Sequence, residues 1–570
     1  MNKKIIITLL IGLMLWNCNE LTLNPLSEGS TQNWYSDDTE ISMALNKLYD
    51  LNYYENFFVS GVFWLDWWTE SWTDNQGIRF TPGSFVAGTL DGQNVMLNKL
   101  WDRAYQCINN ANTLLENIDK VKNEISEQQL NRFIADARFA RAIQYSFLIF
   151  YWGDVPFYTN ILDIEEAFSL SRTNKEIILS EIYEDFDFAI SWSPLSYSGN
   201  DYRRATKGAA LAMKARIALY MEDWEIARDA AKECIELGVY ELYPDFHELF
   251  GQKYTSEFIF SAPRSVDYNS YVNIEQLGTR NTGGYATVQP TWDLLASFLC
   301  TDGLPIDESP LFNPQDPFRN RDPRCAMTIV EFGTSHLGVI YEPHPDTLKV
   351  FNFRTGSYMD NQDSRGVNQY ASYNGLAWKK WLKDGWYTGN RGSMTNIVIR
   401  YADVLLMYAE AKIELNEIDQ SALDAINTVR ARAYGAEVNE ISLYPEVTTI
   451  SQSELRRIVR TERRMEFAME GRRLPDILRW RIAEKVLNKK NYGMLDPVDL
   501  REKVIPQGLW FWPETPSIDE DGIADFDALY EKGFCKLLSE RVFDATKSYL
   551  FPIPTSEILI NDNLEQNPNY

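Results

Sequence analysis

The sequence predicts a mainly α-helical fold, in which a scaffold of helical hairpins receives an irregular, loop-rich inserted lobe. Apolar residues recur at i, i+3 and i+4 steps through most of the first half of the chain, and again from residue 402. Between these regions, residues 257–395 are rich in Gly, Pro, Asn and aromatic residues, which is typical of loops and short strands. No Pro/Gly/Ser-rich linker divides the 570 residues, so one large folded unit is expected.

The N-terminus has the features of an export signal. Lys3 and Lys4 supply its positive region, and residues 5–16 form an apolar segment too short to cross a bilayer. Cys18 follows after Asn17, as in a bacterial lipoprotein, where this Cys accepts the lipid anchor. We therefore interpret residues 1–17 as a signal peptide and 18–35 as a lipidated tether. An ordinary secretory signal with an incidental Cys is the alternative.

Helices are predicted through most of residues 36–256. Small residues lie where the helices over 209–220 and 224–237 would touch, so this pair resembles a tetratricopeptide (TPR) hairpin. A second hairpin of the same kind is predicted over 402–415 and 421–433. The helical ranges predicted in the N-terminal region are 39–51, 95–118, 127–151, 174–190, 206–220 and 224–237.

An aromatic stretch over residues 53–79 contains the side chains that a sugar site needs. Trp faces stack on the C–H faces of a pyranose, while carboxylates, amides and guanidinium groups bond its hydroxyls. Trp64, Trp68 and Trp72 follow at four-residue steps, which also fits a buried helical stripe. Trp72 precedes the polar turn 74–77 and is the tryptophan expected to be exposed. The favoured glycan contacts here are Trp72, Asn75 and Arg79.

Two further groups of candidates lie in the lobe. Tyr285 and Trp292 border the run 281–284, whose glycines allow the backbone to yield to a ligand. Aromatic and Lys residues alternate over 370–386, a segment that could face a ligand or a partner protein. If residues 53–79 pack in the core, this segment is the next candidate. Its glycan-contact candidates are Trp378 and Trp381.

Charged rows on the helix near residues 455–470 are interpreted as structural. Acidic and basic side chains recur there at four-residue steps, and opposed rows can join neighbouring helices, although a patch for a charged ligand would look similar. The acidic row is Glu462, Glu466 and Glu470, and the basic row is Arg456, Arg460 and Arg464.

Composition and motifs exclude several function classes. The net charge of -26, from 55 basic and 81 acidic side chains, disfavours nucleic acid as a partner. His247, His336 and His344 show no metal-ligand spacing, and neither nucleophile-elbow nor phosphate-loop motifs occur in a fitting context, so no metal and no cofactor are expected. The widely spaced cysteines, without any CxxC, do not form a disulfide framework.

Four motifs in the second half of the chain together resemble one family. They are RYADVLLMYAEA over 400–411, INTVRARA over 426–433, ERRME to EGRR and RW over 462–480, and FPIP to NPNY over 551–570. In this order they are similar to the SusD/RagB family of outer-membrane nutrient-binding lipoproteins. Residues 396–570 would then complete the helical scaffold, with a mixed segment over 496–548. None of the four motifs is catalytic.

The resemblance implies a lipid-anchored protein on the outer-membrane surface of a Gram-negative bacterium. Such a protein binds an oligosaccharide or another small nutrient without cleaving it, and delivers it to a SusC-like TonB-dependent transporter. We expect a neutral or weakly charged oligosaccharide, bound by aromatic stacking. Two alternatives stay open: a surface glycoside hydrolase, which needs two carboxylates across a bound sugar, and a TPR-type protein-interaction adaptor.

Overall fold

The structure is a computed structural model that describes residues 34–54, 69–79, 83–385 and 389–570. Helices dominate its regular structure and the sheets are small, which confirms the predicted mainly α fold class. Several sequence predictions lie outside the described residues: the signal peptide, the lipidated Cys18, Trp64 and Trp68.

Side-chain caps mark where the long N-terminal helices begin. Asn94 accepts hydrogen bonds from two backbone N–H groups of the helix that follows it, and Ser126 and Thr206 each accept one in the same way. Each predicted N-terminal range agrees with the structure to within three residues at either end. The helices of the N-terminal region, including the short α2 and α5, are α1 (Asp38–Leu48), α2 (Leu51–Tyr54), α3 (Val95–Asn117), α4 (Glu127–Trp152), α5 (Ile164–Ser169), α6 (Lys175–Trp192), α7 (Lys207–Tyr220) and α8 (Trp224–Glu236).

The two predicted hairpins lie side by side, although the lobe separates them in sequence. Further helices are α9 (Phe246–Leu249), α10 (Trp292–Ser297), α11 (Arg324–Thr328), α12 (Tyr401–Glu414), α13 (Gln420–Ala433), α14 (Gln452–Phe467), α15 (Arg473–Arg479), α16 (Ala483–Leu487), α17 (Pro497–Asp499), α18 (Asp527–Glu531) and α19 (Thr555–Ile560). α7 packs on α8, α8 on α12, and α12 on α13 and α14. Buried alanines such as Ala215 and Ala227 allow this close approach, so the hairpins form one continuous layer.

The strands of the molecule pair in short antiparallel sheets. The strands are β1 (Gln76–Ile78), β2 (Phe258–Ala262), β3 (Val272–Asn273), β4 (Val288–Pro290), β5 (Thr334–His336), β6 (Val339–Tyr341), β7 (Lys349–Asn352), β8 (Ser357–Asp360), β9 (Arg391–Gly392), β10 (Asn396–Arg400), β11 (Lys490–Gly493), β12 (Ser517–Ile518), β13 (Ala524–Asp525) and β14 (Lys536–Glu540). β5 to β8 form one sheet in sequential order. The pairings of β1 with β4, β2 with β10, and β3 with β9 each join segments distant in sequence.

Two large hydrophobic clusters underlie the helical scaffold and the lobe. The first contains the N-terminal helices and also Phe551 of the chain end, while the second contains Trp292 and residues of the mixed C-terminal segment. The Trp152 indole N–H donates to the Pro552 carbonyl at 2.9 Å, so the last residues are fixed against the scaffold. Because the lobe shares its cluster with the mixed segment, the domain boundaries at 256/257 and 395/396 stay predictions.

The acidic row and Arg464 are buried, whereas Arg456 and Arg460 are only partly buried. Glu462 and Glu466 have no exposed surface, and ion pairs join them to arginines of neighbouring elements. Arg464 pairs with Asp74 at 2.8 Å, which ties the aromatic stretch to α14. A charged ligand cannot reach the buried groups, and the partly exposed Arg456 and Arg460 pair with Glu414 and Asp521, so the rows stabilise the junctions between elements.

The cysteines that the structure describes are free thiols, in agreement with the prediction that they form no disulfide framework. Cys107 on α3 and Cys234 on α8 are buried free thiols, as are the other three cysteines that the structure describes. Within the described ranges, no helix combines the length and the apolar character that crossing a membrane requires.

Candidate functional site

A small surface of the lobe brings together two guanidinium groups and two tyrosine rings from three chain segments. We call it the Tyr–Arg platform and define it as Arg79, Arg280, Tyr285 and Tyr370. Tyr285 is 42% exposed and Tyr370 is 50% exposed, whereas both arginines are partly buried. The platform therefore presents aromatic surface and cationic hydrogen-bond donors to solvent.

The β1–β4 pairing positions the first two segments of the platform. Gly77 lies opposite Gln289 and Ile78 opposite Val288, and the ladder continues with a hydrogen bond from the Arg79 N–H to the Thr287 carbonyl at 2.9 Å. Residues that are some 200 positions apart in sequence thus become neighbours. Arg79 follows β1 directly, so its side chain emerges at the end of a fixed strand.

A tightly bonded loop holds Arg280 and Tyr285. The Gly284 N–H donates to the Thr279 carbonyl at 2.8 Å, and the Ala286 N–H donates to the Gly278 carbonyl at 2.9 Å. A Cβ on Gly284 would lie 2.2 Å from the Gly278 oxygen, so only glycine permits this crossing of the chain. The expectation that this run yields to a ligand is corrected here: its backbone is held in place.

Polar contacts with the third segment fix the same loop. The Asn281 side-chain amide donates to Asn361 at 2.9 Å, and its oxygen accepts the Gln362 N–H at 2.7 Å. The Arg280 N–H donates to Oδ1 of Asp363 at 2.6 Å. Asp363 is only 2% exposed, and burial raises its pKa to about 6.

The two guanidinium groups converge on Tyr370. Arg79 Nη1 donates to the Tyr370 carbonyl at 2.6 Å and to the Tyr285 carbonyl at 2.7 Å, and Arg280 Nε donates to the Tyr370 carbonyl at 3.1 Å. Both Cζ atoms lie 5.5 Å from the centre of the Tyr370 ring, and Arg280 Cζ lies 5.8 Å from that of Tyr285. Cation–π attraction and shared carbonyls thus hold two like charges together.

The closeness of the two positive charges affects the pKa of Arg79. Partial burial lowers the pKa of its guanidinium, and the neighbouring Arg280 charge lowers it further. A third cation lies at the edge of the platform, where Arg365 Cζ is 4.7 Å from the Tyr373 ring centre. Arg365 differs from the platform arginines because it pairs with Asp496 at 2.5 Å.

The structure buries two of the three contacts that the sequence favoured most. Trp72 is 1% exposed, and its ring stacks on Phe85 with centroids 5.0 Å apart, so the predicted exposure of Trp72 is wrong. Asn75 has no exposed surface, since its amide donates to Glu70 and its oxygen accepts from Arg464. The polar turn after Trp72 faces this buried network and not solvent.

The other tryptophan candidates are also interior residues. The indole N–H groups of Trp292 and Trp381 donate to the carbonyls of Asn374 and Met469. Trp378 has no exposed surface. All three belong to the hydrophobic cluster of the lobe, so their predicted accessibility to a ligand is wrong. An indole without exposed area cannot stack on a sugar.

Two sequence candidates, Arg79 and Tyr285, do meet on the surface, but Arg280 and Tyr370 were missed. Arg280 directly precedes the run that drew attention to Tyr285, and Tyr370 begins the aromatic segment 370–386. In both places the site residue is an Arg or Tyr that flanks the tryptophan candidates. Large apolar indoles are more often buried, so exposed Tyr and Arg were the better signal.

A second concavity lies on the helical scaffold, between α3, α5 and α19. It has a volume of about 440 Å³ and is lined by Trp101, Tyr105 and Phe168, with Asp102 and Glu557 at its wall. Burial raises the pKa of both carboxyl groups. Its lining offers aromatic rings with carboxylates in place of cationic donors, and it is separate from the platform. In the described part of the chain, no three His, Cys, Asp or Glu side chains are grouped to hold a metal ion.

Both halves of the chain match models of known protein families. A model described as the SusD family matches residues 252–570, and one described as starch-binding associating with outer membrane matches residues 30–219. Two SusD-like proteins of Formosa agariphila are similar to this chain. One is 26% identical over the whole of both chains, and the other is 25% identical over 87% of this chain and 93% of the relative.

The fold agrees with solved structures as well. A SusD-like carbohydrate binding protein from Bacteroides fragilis superposes with a TM-score of 0.74 and 28% identity, covering 93% of this chain and 99% of that one. The SusD model alone spans more than half of the chain, and it includes all four motifs of the second half. The chain therefore belongs to the SusD/RagB family.

Proposed function

We propose that this protein binds an oligosaccharide on the Tyr–Arg platform at the cell surface and delivers it to a SusC-like TonB-dependent transporter in the outer membrane. The supporting observation is the convergence of two partly exposed tyrosine rings and two guanidinium groups at one point of the lobe. Binding is reversible and no bond of the ligand is broken.

The chemistry of the platform suits a sugar. A tyrosine ring offers a flat apolar face for the C–H face of a pyranose, and the guanidinium groups donate hydrogen bonds to ring substituents. The carbonyls of Tyr285 and Tyr370 already hold the Arg79 guanidinium, so little side-chain freedom is lost when a ligand binds.

Similarity supports a carbohydrate ligand. The solved Bacteroides fragilis relative is described as carbohydrate binding, and the model that matches the N-terminal half is described as starch-binding associating with outer membrane. Location at the outer membrane is proposed from this description and from Cys18, the predicted lipid acceptor.

Glycan binding is tested by electrophoresis of the purified protein through gels that contain immobilised polysaccharides. We expect at least one polysaccharide to retard the wild-type protein, and both Tyr370→Ala and Tyr285→Ala to abolish the retardation. Loss of a stacked ring costs on the order of 1–3 kcal/mol, which is enough to remove a weak sugar complex. Tyr268→Ala is the matched control, because Tyr268 is 88% exposed and lies outside the platform.

The outcomes separate this function from its alternatives. Retention of full binding by both platform variants would place the site elsewhere, and no retardation by any polysaccharide would refute glycan capture. New reducing ends after incubation would indicate a hydrolase. Delivery is tested separately by mild-detergent purification of the native protein, where repeated absence of a large outer-membrane β-barrel partner would contradict it.

A further inference from the structure

We propose that the Tyr–Arg platform selects glycans that carry a negative charge, either a uronate carboxylate or a sulfate ester. The proposal rests on the proposed function, because it concerns the same site. It departs from the neutral or weakly charged ligand that the sequence favoured.

The first observation is the closeness of the two positive charges. Arg79 Nη1 and Arg280 Nε donate to the same Tyr370 carbonyl oxygen, at 2.6 Å and 3.1 Å, so these nitrogens lie within about 6 Å of each other. The carbonyl orients the Arg280 guanidinium but does not neutralise it. An anion at this point would interact favourably with both charges at once.

The second observation is that Arg280 has donors left for a ligand. Among the described residues, no carboxylate lies within ion-pair distance of its guanidinium, and neither of its Nη atoms donates to a described residue. Asp363 accepts a hydrogen bond from the Arg280 backbone N–H, and burial raises the Asp363 pKa while the Arg280 charge lowers it, but the two side chains form no ion pair. The Nη edge of a guanidinium presents two parallel donors, which match the oxygens of a carboxylate or sulfate.

Buried arginines elsewhere in this chain differ from Arg280, because their guanidinium groups are paired with several carboxylates. Arg324 pairs with Asp322, Glu462 and Glu466, and the Arg400 guanidinium donates to three carboxylates. The sequence has 81 acidic side chains for 55 basic ones, so carboxylate partners are abundant. Arg280, which lies beside the Arg79 guanidinium and contacts a carbonyl and tyrosine rings, therefore gives this surface of an acidic protein a positive charge.

The overall charge of -26 does not prevent such binding. Exposed charges are largely screened beyond about 8 Å at physiological ionic strength, so an anionic group on the platform responds mainly to the arginines beside it. Distant repulsion acts on the whole ligand and slows its approach at low salt.

The test compares charged and uncharged forms of the same polymer. Polygalacturonate and its carboxyl-reduced form address a carboxylate, and a carrageenan and its desulfated form address a sulfate ester; alginate and neutral β-glucans extend the panel. Affinity is measured by gel retardation and by calorimetry at 50 and 500 mM NaCl. We expect binding of a carboxylated or a sulfated polymer that falls at least tenfold when its charge is removed, and that weakens at high salt.

Matched variants assign the selectivity to the platform. Arg280→Gln should lower affinity for the charged polymer at least tenfold, whereas Arg280→Lys, which keeps the charge, should retain more of it. Arg203→Gln is the control, because Arg203 is exposed and lies 5.2 Å above the ring of Tyr202, outside the platform. Unchanged thermal unfolding of each variant would show that the loop is intact.

Each result bears on one of the two proposals. Wild-type binding to neutral polymers that Tyr370→Ala abolishes, and that Arg280→Gln leaves within about threefold, would overturn charge selection and leave glycan capture standing. Binding to a charged polymer that survives Arg280→Gln unchanged would also overturn it. Failure to bind any polymer of the panel would refute both proposals.

Discussion

Arg400 illustrates how the residues that identify this family act inside the molecule. Its guanidinium donates to Glu257 at 2.7 Å, to Glu466 at 2.6 Å and to Glu470 at 2.7 and 2.8 Å, and it is 1% exposed. Burial raises the pKa of Glu466, but the charges of Arg432, Arg400 and other arginines outweigh this effect and hold that pKa well below its usual range. The motif thus joins β10 to α14.

Removal of this guanidinium should therefore destabilise the fold without touching the platform. Arg400→Met leaves buried carboxylates without their partner, and we expect the free energy of unfolding to fall by about 3–5 kcal/mol. Arg228→Met removes an arginine from a surface pair with Glu417, where we expect a loss below about 1 kcal/mol. Denaturant titration measures both. Equal effects of the two variants would contradict the structural role of the buried network.

Glu70 gives a prediction about pH, because burial raises its pKa to about 7 despite hydrogen bonds from the Met469 N–H and the Asn75 amide. The unfolded value is about 4.3, so the protonated form is the one that folding favours. The stability that Glu70 contributes is complete below pH 4 and is lost as pH rises through about 7.

Glu70→Gln keeps the acceptor oxygen and cannot ionise. We expect this variant to be more stable than the wild type at pH 8 by about 1–3 kcal/mol, and to differ little from it at pH 4. Denaturant unfolding at the two pH values measures the difference. A pH-independent difference between variant and wild type would show that Glu70 does not titrate in this range.

Single residues were also the hardest to predict from sequence. Trp72 lies beside a polar turn, a position that usually reaches the surface, but its indole packs against Phe85 while Asp74 binds Arg473 at 2.8 Å. The turn is polar because its side chains pair with buried arginines of α14 and α15, which lie some 390 residues further along the sequence. No local pattern contains that information, since burial of a short segment depends on what packs over it.

At the scale of elements, helices were predictable and the platform only in part. The buried face of a long helix repeats with a local period in the sequence, so α3, α4, α6, α7 and α8 could be located from sequence, whereas the six-residue α5 could not. The β1–β4 ladder has only three residues on each side and pairs segments that are distant in sequence. Arg79 and Tyr285 could be named separately from local chemistry, but their meeting with Tyr370 could not.

The loop between β3 and β4 provides an element-scale test. Gly284→Ala adds a Cβ 2.2 Å from the Gly278 carbonyl oxygen, so the loop that holds Arg280 and Tyr285 must shift. We expect ligand affinity to fall at least tenfold, equivalent to 1.4 kcal/mol, while cooperative unfolding persists. Gly356→Ala is the control: it lies at a φ of +66° with no neighbour within 4 Å of the added atom. Its backbone strain should lower stability slightly and leave affinity unchanged. Full affinity of Gly284→Ala would separate the loop from the site.

At the scale of the whole molecule, the sequence predicts a scaffold and a lobe within one folded unit, and in the structure one helix packs into the hydrophobic clusters of both. Met465 of α14 belongs to the lobe's hydrophobic cluster, while Val459 of the same helix belongs to the scaffold's cluster. α14 therefore contributes to both cores, with its charged side chains between them. Because α14 is shared, loss of one core would remove packing from a helix that also supports the other.

The proposed position of the molecule at the cell surface depends on Cys18. Positive residues followed by a short apolar segment direct export, and a lipid on the next Cys would hold the scaffold and lobe outside the membrane by the tether over residues 18–35. Cys18→Ala removes the acceptor thiol, so we expect the variant to appear in the soluble fraction or as unprocessed precursor, with loss of surface labelling. Cys107→Ala is the control, because Cys107 is a buried thiol on α3 and its loss leaves export and anchoring untouched. Cell fractionation with surface biotinylation measures both variants. Membrane retention of Cys18→Ala with full surface labelling would show that another part of the molecule anchors it.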